Sequence, residues 1–236
     1  MKPARIILIR HAESAGNVDK GSYGHTPDYA LKLSPLGEEQ AAAAGPRLRA
    51  LVGDASVFAY VSPMWRTRRT FEHPAAAMAP GQVRWREEPR LREQEWGHFR
   101  DLAECDRTVV NRDAYGTFYY RIPEGESGAD VYDRVSDFFG TLHRDFEKPD
   151  FPANALIVTH GMTLRLFLMR WFHWTVEEFE QLANPGNCQL VVLERQDDGK
   201  YRLVSELRRH TVAHSYQRPL HLPLHSWPDR PSTSFR

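Results

Sequence analysis

Two short apolar runs, Ile6-Ile7-Leu8-Ile9 and Ala155-Leu156-Ile157-Val158, each end within two residues of a histidine, His11 and His160. A continuous branched-apolar run of this length reads as a strand buried on both faces, as in a parallel sheet covered by helices. Such sheets take their ligands beyond the carboxyl ends of the strands. The chain must therefore fold with both strands inside a layered α/β core and both imidazoles at its functional edge. Arg10 directly precedes His11, so that edge also carries a cation.

The rest of the chain alternates in the same style. Val57 to Val61 reads as a second strand and Val83 to Arg86 as a weak third. Ser34-Pro35 is a cap followed by proline at the first helical position, and predicts a helix through Leu48 and Leu51 with Pro46 as a candidate kink. Ser62-Pro63 repeats the signal and predicts a helix through Thr70 and Ala77. Gly16 to Lys32 lacks periodicity and reads as a loop beside the first histidine. Val131, Val135, Phe138, Phe139 and Leu142 recur at helical spacing between Gly128 and Phe146, and Met162 to Trp171 forms the next helix. Thr175 caps a short helix through Leu182. Cys188 to Glu194 and Tyr201 to Glu206 make a hairpin around Asp197-Asp198-Gly199. The pattern predicts a three-layer α/β sandwich whose central sheet is mainly parallel with an antiparallel edge. One domain spans 1–209, with a small lobe at about 98–127, and a Pro/His-rich tail spans 210–236.

Composition narrows the function. The 236 residues carry 31 basic and 31 acidic side chains, so any grip on an anion must be local, and nucleic acid is not an expected partner. Apolar residues at 41% and charged residues at 26% fit a soluble globular protein. No stretch approaches the roughly 20 apolar residues of a membrane span. The run after Met1-Lys2-Pro3-Ala4-Arg5 is too short for a signal peptide. Cys105 and Cys188 stand far apart and read as free thiols of a reducing compartment, which predicts a cytoplasmic protein.

Two strand-end histidines beside arginines point to phosphoryl transfer. A phosphate monoester is nearly dianionic, and the guanidinium fork matches its oxygens. Arg66 lies early in the helix after the second strand, at the same sheet edge as Arg10. A histidine acts as nucleophile when one ring nitrogen is free and the other is fixed by a hydrogen bond. The second histidine, when protonated, adds positive charge at the phosphoryl oxygens. A carboxyl group can protonate the leaving oxygen and then take a proton from water. Glu93 and Glu95, in Leu91-Arg92-Glu93-Gln94-Glu95-Trp96-Gly97, both qualify, and composition does not choose between them.

Arg10-His11-Ala12-Glu13-Ser14 followed by Asn17 resembles the signature of the histidine phosphatase superfamily, with its phosphoglycerate mutase-like fold. Leu33-Ser34-Pro35-Leu36-Gly37 with Gln40-Ala41, Ser62-Pro63-Met64-Trp65-Arg66-Thr67 with Thr70, Leu91-Arg92-Glu93 with Gly97, and Val158-Thr159-His160-Gly161 resemble its further blocks, in family order. Gly125-Glu126-Ser127 followed by Arg134-Val135 is similar to a segment of the phosphatase branch. The resemblance implies that His11 is the phosphorylated nucleophile, that Arg10, Arg66 and His160 clamp the phosphoryl group, and that Glu93 is the acid and then the base. It also implies that Asn17 contacts the phosphoryl group or substrate, and that the reaction needs neither metal nor cofactor. The departure is Ala12, where the family usually has glycine; a positive φ there would strain alanine and displace His11.

The remaining features have milder readings. Tyr23, His25, Asp28, Tyr119, Tyr120 and Arg121 are candidates for substrate selection, with Tyr23 the first choice. Arg66-Thr67-Arg68-Arg69 disperses around a helix and reads as a solvated face. His210, His214, His221 and His225 lack acidic companions and do not predict a metal site. Trp171-Phe172-His173-Trp174 reads as packing. The expectation is a metal-independent phosphomonoester hydrolase acting on a small phosphate ester, with a phosphoprotein also compatible. Two other readings are a phosphoglycerate-type mutase and a non-catalytic phospho-ligand binding protein. Oligomeric state is not readable.

Overall fold

The computed structural model describes residues 2–97 and 102–210. Positions 98–101 of the expected lobe, and the tail from 211 with His214, His221 and His225, lie outside the described residues.

Six strands form one sheet: β1 (Arg5–Arg10), β2 (Val57–Val61), β3 (Val83–Glu87), β4 (Asn154–Thr159), β5 (Leu190–Arg195) and β6 (Tyr201–Leu203), in the order β3-β2-β4-β1-β5-β6. β1, β2, β3 and β4 pair in parallel, while β5 runs antiparallel to both β1 and β6. The architecture is thus the mixed α/β sandwich that the alternating pattern predicts.

Successive residues of a strand point to opposite faces, and the core divides accordingly. Ile6, Leu8, Tyr60, Ala155 and Ile157 face α5 (Gly128–Phe146) and α6 (Gly161–Phe172). Ile7, Ile9, Ala59, Val61, Leu156 and Val158 face α2 (Pro35–Val52) and α3 (Trp65–Ala76). Each Ile, Leu or Val among these, removed fully from water, contributes about 1.5–3 kcal/mol to folding. Both faces of these central strands are covered.

Two local readings change. Ser62 does not cap a helix: α3 starts at Trp65 with Met64 as its cap residue. Residues 16–32 are a chain of short helical pieces, α1 (Ala15–Val18), Lys20–Gly24 and Asp28–Ala30, whose turns need no apolar period. Pro46 and Pro74 lie within continuous helices. Residues 102–115 form α4 (Leu102–Tyr115), tied to the first site loop by an ion pair from Lys20 to Asp106 and to Trp96 by the stacked guanidinium of Arg112. A final short helix, α7 (Val176–Glu180), is capped by Thr175 as predicted, in a capping box with Glu178, and ends before Leu182.

Candidate active site

The register of the sheet brings the two histidines together. Arg10 pairs with Thr159 at the carboxyl ends of β1 and β4, and the next residues are His11 and His160. The His11 N–H donates to the Thr159 carbonyl at 2.9 Å, extending the ladder by one rung. The two ring centroids lie 5.1 Å apart, and both side chains are buried. β2 delivers its end to the same place, because the Ser62 N–H donates to the Val158 carbonyl at 2.9 Å.

His11 has a fixed tautomer. Its Nδ1 lies 2.7 Å from the Ala12 carbonyl oxygen, which can only accept, so Nδ1 carries the proton and Nε2 holds the lone pair. Burial, then the charges of Arg66 and Arg10, hold its pKa well below the ordinary histidine value, against the opposing pull of the Ala12 hydrogen bond. The ring is neutral at neutral pH. Ala12 itself is unstrained: it is absent from the residues with positive φ, and its N–H donates to Thr70 Oγ1 of α3 at 2.9 Å. The departure from glycine therefore leaves His11 in place.

His160 is held from the other side. Its Nε2 lies 2.7 Å from Ser62 Oγ, which explains why that serine is not spent on a helix cap. Its Nδ1 is buried without a partner among the described residues. Burial and then Arg66 hold its pKa well below the usual range. That environment favours the neutral ring.

The two arginines flank the imidazoles. Arg10 Nη1 donates to the Pro185 carbonyl at 2.7 Å, and its Nε is buried without a partner among the described residues. Burial lowers its pKa while the Glu93 charge raises it. Arg66 is 3% exposed and is gripped by Asp28: Nη1 donates to Oδ1 at 2.9 Å and to the Asp28 carbonyl at 2.7 Å, and Nη2 donates to Oδ2 at 3.2 Å. Tyr23 lies within the fields of Arg66, Asp28 and Glu93, and burial raises its pKa.

Glu93 sits at the start of α6, the helix that follows His160. Its Oε1 accepts from Gln94 N at 3.1 Å, Thr163 N at 3.4 Å and Thr163 Oγ1 at 3.3 Å, and its Oε2 accepts from Met162 N at 3.4 Å. Helix N-terminal N–H groups are natural partners for a carboxylate. Glu95 takes a different part: its main-chain N–H and carbonyl engage Glu126. Asn17 is exposed at the end of α1, where its Oδ1 accepts from Ser14 N at 3.2 Å.

Sequence reasoning missed three contributors. Asn187 Nδ2 donates to the His11 carbonyl at 2.9 Å from the loop before β5, whose Asn-Pro-Gly-Asn composition signals only a turn. Ser62 was hidden by its resemblance to a cap. Arg165, buried in α6 among apolar residues, stacks over Phe179 at 4.8 Å and donates to the Leu182 carbonyl. Burial brings it down to about 10, and its charge reaches Glu93 and Arg10. Among the described residues no group of three or more His, Cys, Asp or Glu side chains is placed to hold a metal ion, and no helix is long and apolar enough to cross a membrane.

Known proteins resemble this chain in sequence and in fold. The phosphoglycerate mutase-like protein AT74H of Arabidopsis thaliana is 44% identical over 217 residues, covering 85% of this chain and 77% of the relative. The broad-range acid phosphatase DET1 of Saccharomyces cerevisiae is 28% identical over 286 residues, covering 82% of this chain and 86% of the relative. A mycobacterial glucosyl-3-phosphoglycerate phosphatase solved with VO3 shares the fold, with a TM-score of 0.66 at 20% identity over 85% of this chain and 96% of that one. The family model for the histidine phosphatase superfamily (branch 1) matches residues 6–206, and the chain belongs to that superfamily.

Proposed function

We propose that this protein is a phosphomonoester hydrolase that works through a phosphohistidine on His11. The observation that carries the reading is the pairing of a neutral, tautomer-fixed His11 with His160, their centroids 5.1 Å apart, between Arg10 and Arg66. Arg10 Nε and His160 Nδ1, buried without a partner among the described residues, support it, since a phosphoryl oxygen would supply an acceptor to both. A His160 Nδ1–H would face that oxygen if Ser62 donates its hydroxyl proton to Nε2.

The steps follow. The lone pair of His11 Nε2 attacks phosphorus in line, forming the N–P bond. The P–O ester bond breaks, its electron pair leaves on oxygen, and the carboxylic-acid form of Glu93 gives that oxygen its proton. Water then attacks phosphorus while the Glu93 carboxylate takes a water proton. The P–N pair returns to Nε2, releasing phosphate and neutral histidine. Arg10, Arg66 and His160 stabilise charge on the non-bridging oxygens, as positioning chemistry of this kind requires. No metal takes part in the step, so chelators leave the rate unchanged.

The substrate is a small phosphate ester, selected by the loop that carries Tyr23 and Asp28. Asn17 and Tyr23 border it, in a single catalytic domain over 1–209 with a small lobe at about 98–127, followed by the tail. The relatives' descriptions, an acid phosphatase and a glucosyl-3-phosphoglycerate phosphatase, favour hydrolysis. The two free cysteines fit a reducing, cytoplasmic setting.

His11→Ala should abolish release of nitrophenol from p-nitrophenyl phosphate, and acid-labile radioactive phosphate should be trapped on the wild type but not the variant. Near-normal turnover by the variant would end the nucleophile assignment. A coupled assay with 3-phosphoglycerate addresses the mutase reading: isomerisation far above phosphate release would replace hydrolysis as the activity. Phosphate-dependent thermal stabilisation with no hydrolysis at any pH would leave the non-catalytic reading.

A further inference from the structure

Glu93 lies in an irregular segment, yet nearly every carbonyl around it is tied down by a side chain. Arg134 Nη1 donates to the Arg90 carbonyl at 2.6 Å and to the Arg92 carbonyl at 2.9 Å, and Nη2 donates to the Glu93 carbonyl at 3.0 Å. Thr159 Oγ1 donates to the Leu91 carbonyl and Thr163 Oγ1 to the Arg92 carbonyl, both at 2.8 Å. Four successive carbonyls are thus fixed without a strand or an α-helix.

The fork of Arg134 is itself fixed by Glu126. Nε donates to Oε1 and Nη2 to Oε2, each at 3.0 Å, in the bidentate geometry that guanidinium and carboxylate favour. Glu126 also accepts from Arg92 Nη2 at 2.8 Å and from the Glu95 N–H at 3.0 Å, so it holds the chain on both sides of Glu93. Both residues are nearly buried, at 10% and 14% side-chain exposure. Their mounting is rigid: Arg134 stands on α5, whose apolar face is buried, and Glu126 immediately precedes its capping box.

By contrast, three of the four hydrogen bonds that the Glu93 carboxyl group accepts among the described residues are long, at 3.3–3.4 Å. Its position is dictated by its backbone more than by its own hydrogen bonds. We infer that Arg134 and Glu126 are positioning residues for the proton-transfer step, setting where the Glu93 carboxyl group meets the leaving oxygen. This rests on the assignment of Glu93 as acid and base. A displacement of about 1 Å costs on the order of a hundredfold in rate, which makes such a brace consequential.

The test compares leaving groups, because a proton donor matters most when the departing oxygen is basic. Nitrophenolate leaves as a stable anion, whereas the alkoxide of glycerol 2-phosphate needs its proton in the transition state. For Arg134→Lys, kcat/KM on glycerol 2-phosphate should fall by about tenfold or more beyond its fall on p-nitrophenyl phosphate. Inhibition by vanadate, which reads the phosphoryl pocket, should stay within about twofold. Glu126→Gln, which keeps the arginine, should give the same pattern more weakly and serves if Arg134→Lys does not fold. Equal losses on both esters, or weakened vanadate binding, would reduce the pair to a structural role and overturn the inference. Failure of the underlying assignment looks different: wild-type kcat/KM would then be insensitive to Glu93→Gln on both esters.

Discussion

Asp28 places a carboxylate directly on the arginine that the proposed reaction needs for its phosphoryl group. Both terminal nitrogens of Arg66 are engaged by it, although Asp28 is itself 29% exposed and partly screened. The contact has two opposing effects. It orients the guanidinium, and it sets a negative charge beside the seat of a dianion. Asn keeps an acceptor for Nη1, and the Asp28 main-chain carbonyl continues to hold the same nitrogen, so Asp28→Asn removes the charge with little loss of orientation. The inhibition constant of inorganic phosphate should then fall about fivefold, roughly the effect of one screened charge a few ångströms away. Titrating phosphate against the hydrolysis rate measures it. A constant that rises instead would mean that orientation outweighs repulsion, with Asp28 acting as a support for Arg66.

Among the elements, α2 shows what a sequence block does in space. Its cap Ser34 accepts from Gly37 N at 3.0 Å and donates through Oγ to Glu13 Oε1 at 2.7 Å, while Gln40 Oε1 accepts the Glu13 N–H at 2.9 Å. The helix end is thus sewn to the chain two residues beyond His11. A Cβ on Gly37 would lie 2.0 Å from the Glu13 carbonyl oxygen, a backbone atom that cannot step aside. Gly37→Ala should therefore destabilise by about 2 kcal/mol, the usual range for overpacking, and lower activity with it. Urea unfolding and turnover, measured together, check this; an unchanged protein would show that the helix end can move freely. The sequence made the strands, most of the helices and His11, His160, Arg10 and Arg66 legible, because periodicity and strand-end position encode them. It did not reveal Ser62, Asn187 or the Asp28 contact. Those depend on how the ends of β2 and β4, the 183–187 loop, and the Asp28 turn and α3 come together, and pairing of distant segments leaves no local pattern. The Ser62 cap signal was misleading for the same reason, since a tertiary hydrogen bond to His160 competes with the local one.

At the scale of the whole molecule, the site places a proton-linked load on the fold. His11 and His160 are fully enclosed, and both are held well below their ordinary pKa by burial and then by the Arg66 charge. In the unfolded chain each takes up a proton near pH 6.5. Below that pH the unfolded state binds two protons that the folded state refuses, so stability declines as pH falls and recovers as it rises. If both rings stay neutral when folded, the loss between pH 6.5 and 5.5 is about 2 kcal/mol, and carboxylates, titrating lower, contribute little in that window. The same depression keeps the His11 lone pair available below pH 6.5, so activity should persist into the acid range while stability declines. Measuring unfolding free energy at the two pH values, for the wild type and for His11→Asn with His160→Asn, separates this from general acid sensitivity. The double variant should lose most of the pH dependence. An equal loss in both proteins would place the titrating groups elsewhere and would remove the link between the neutral nucleophile and the stability of the fold.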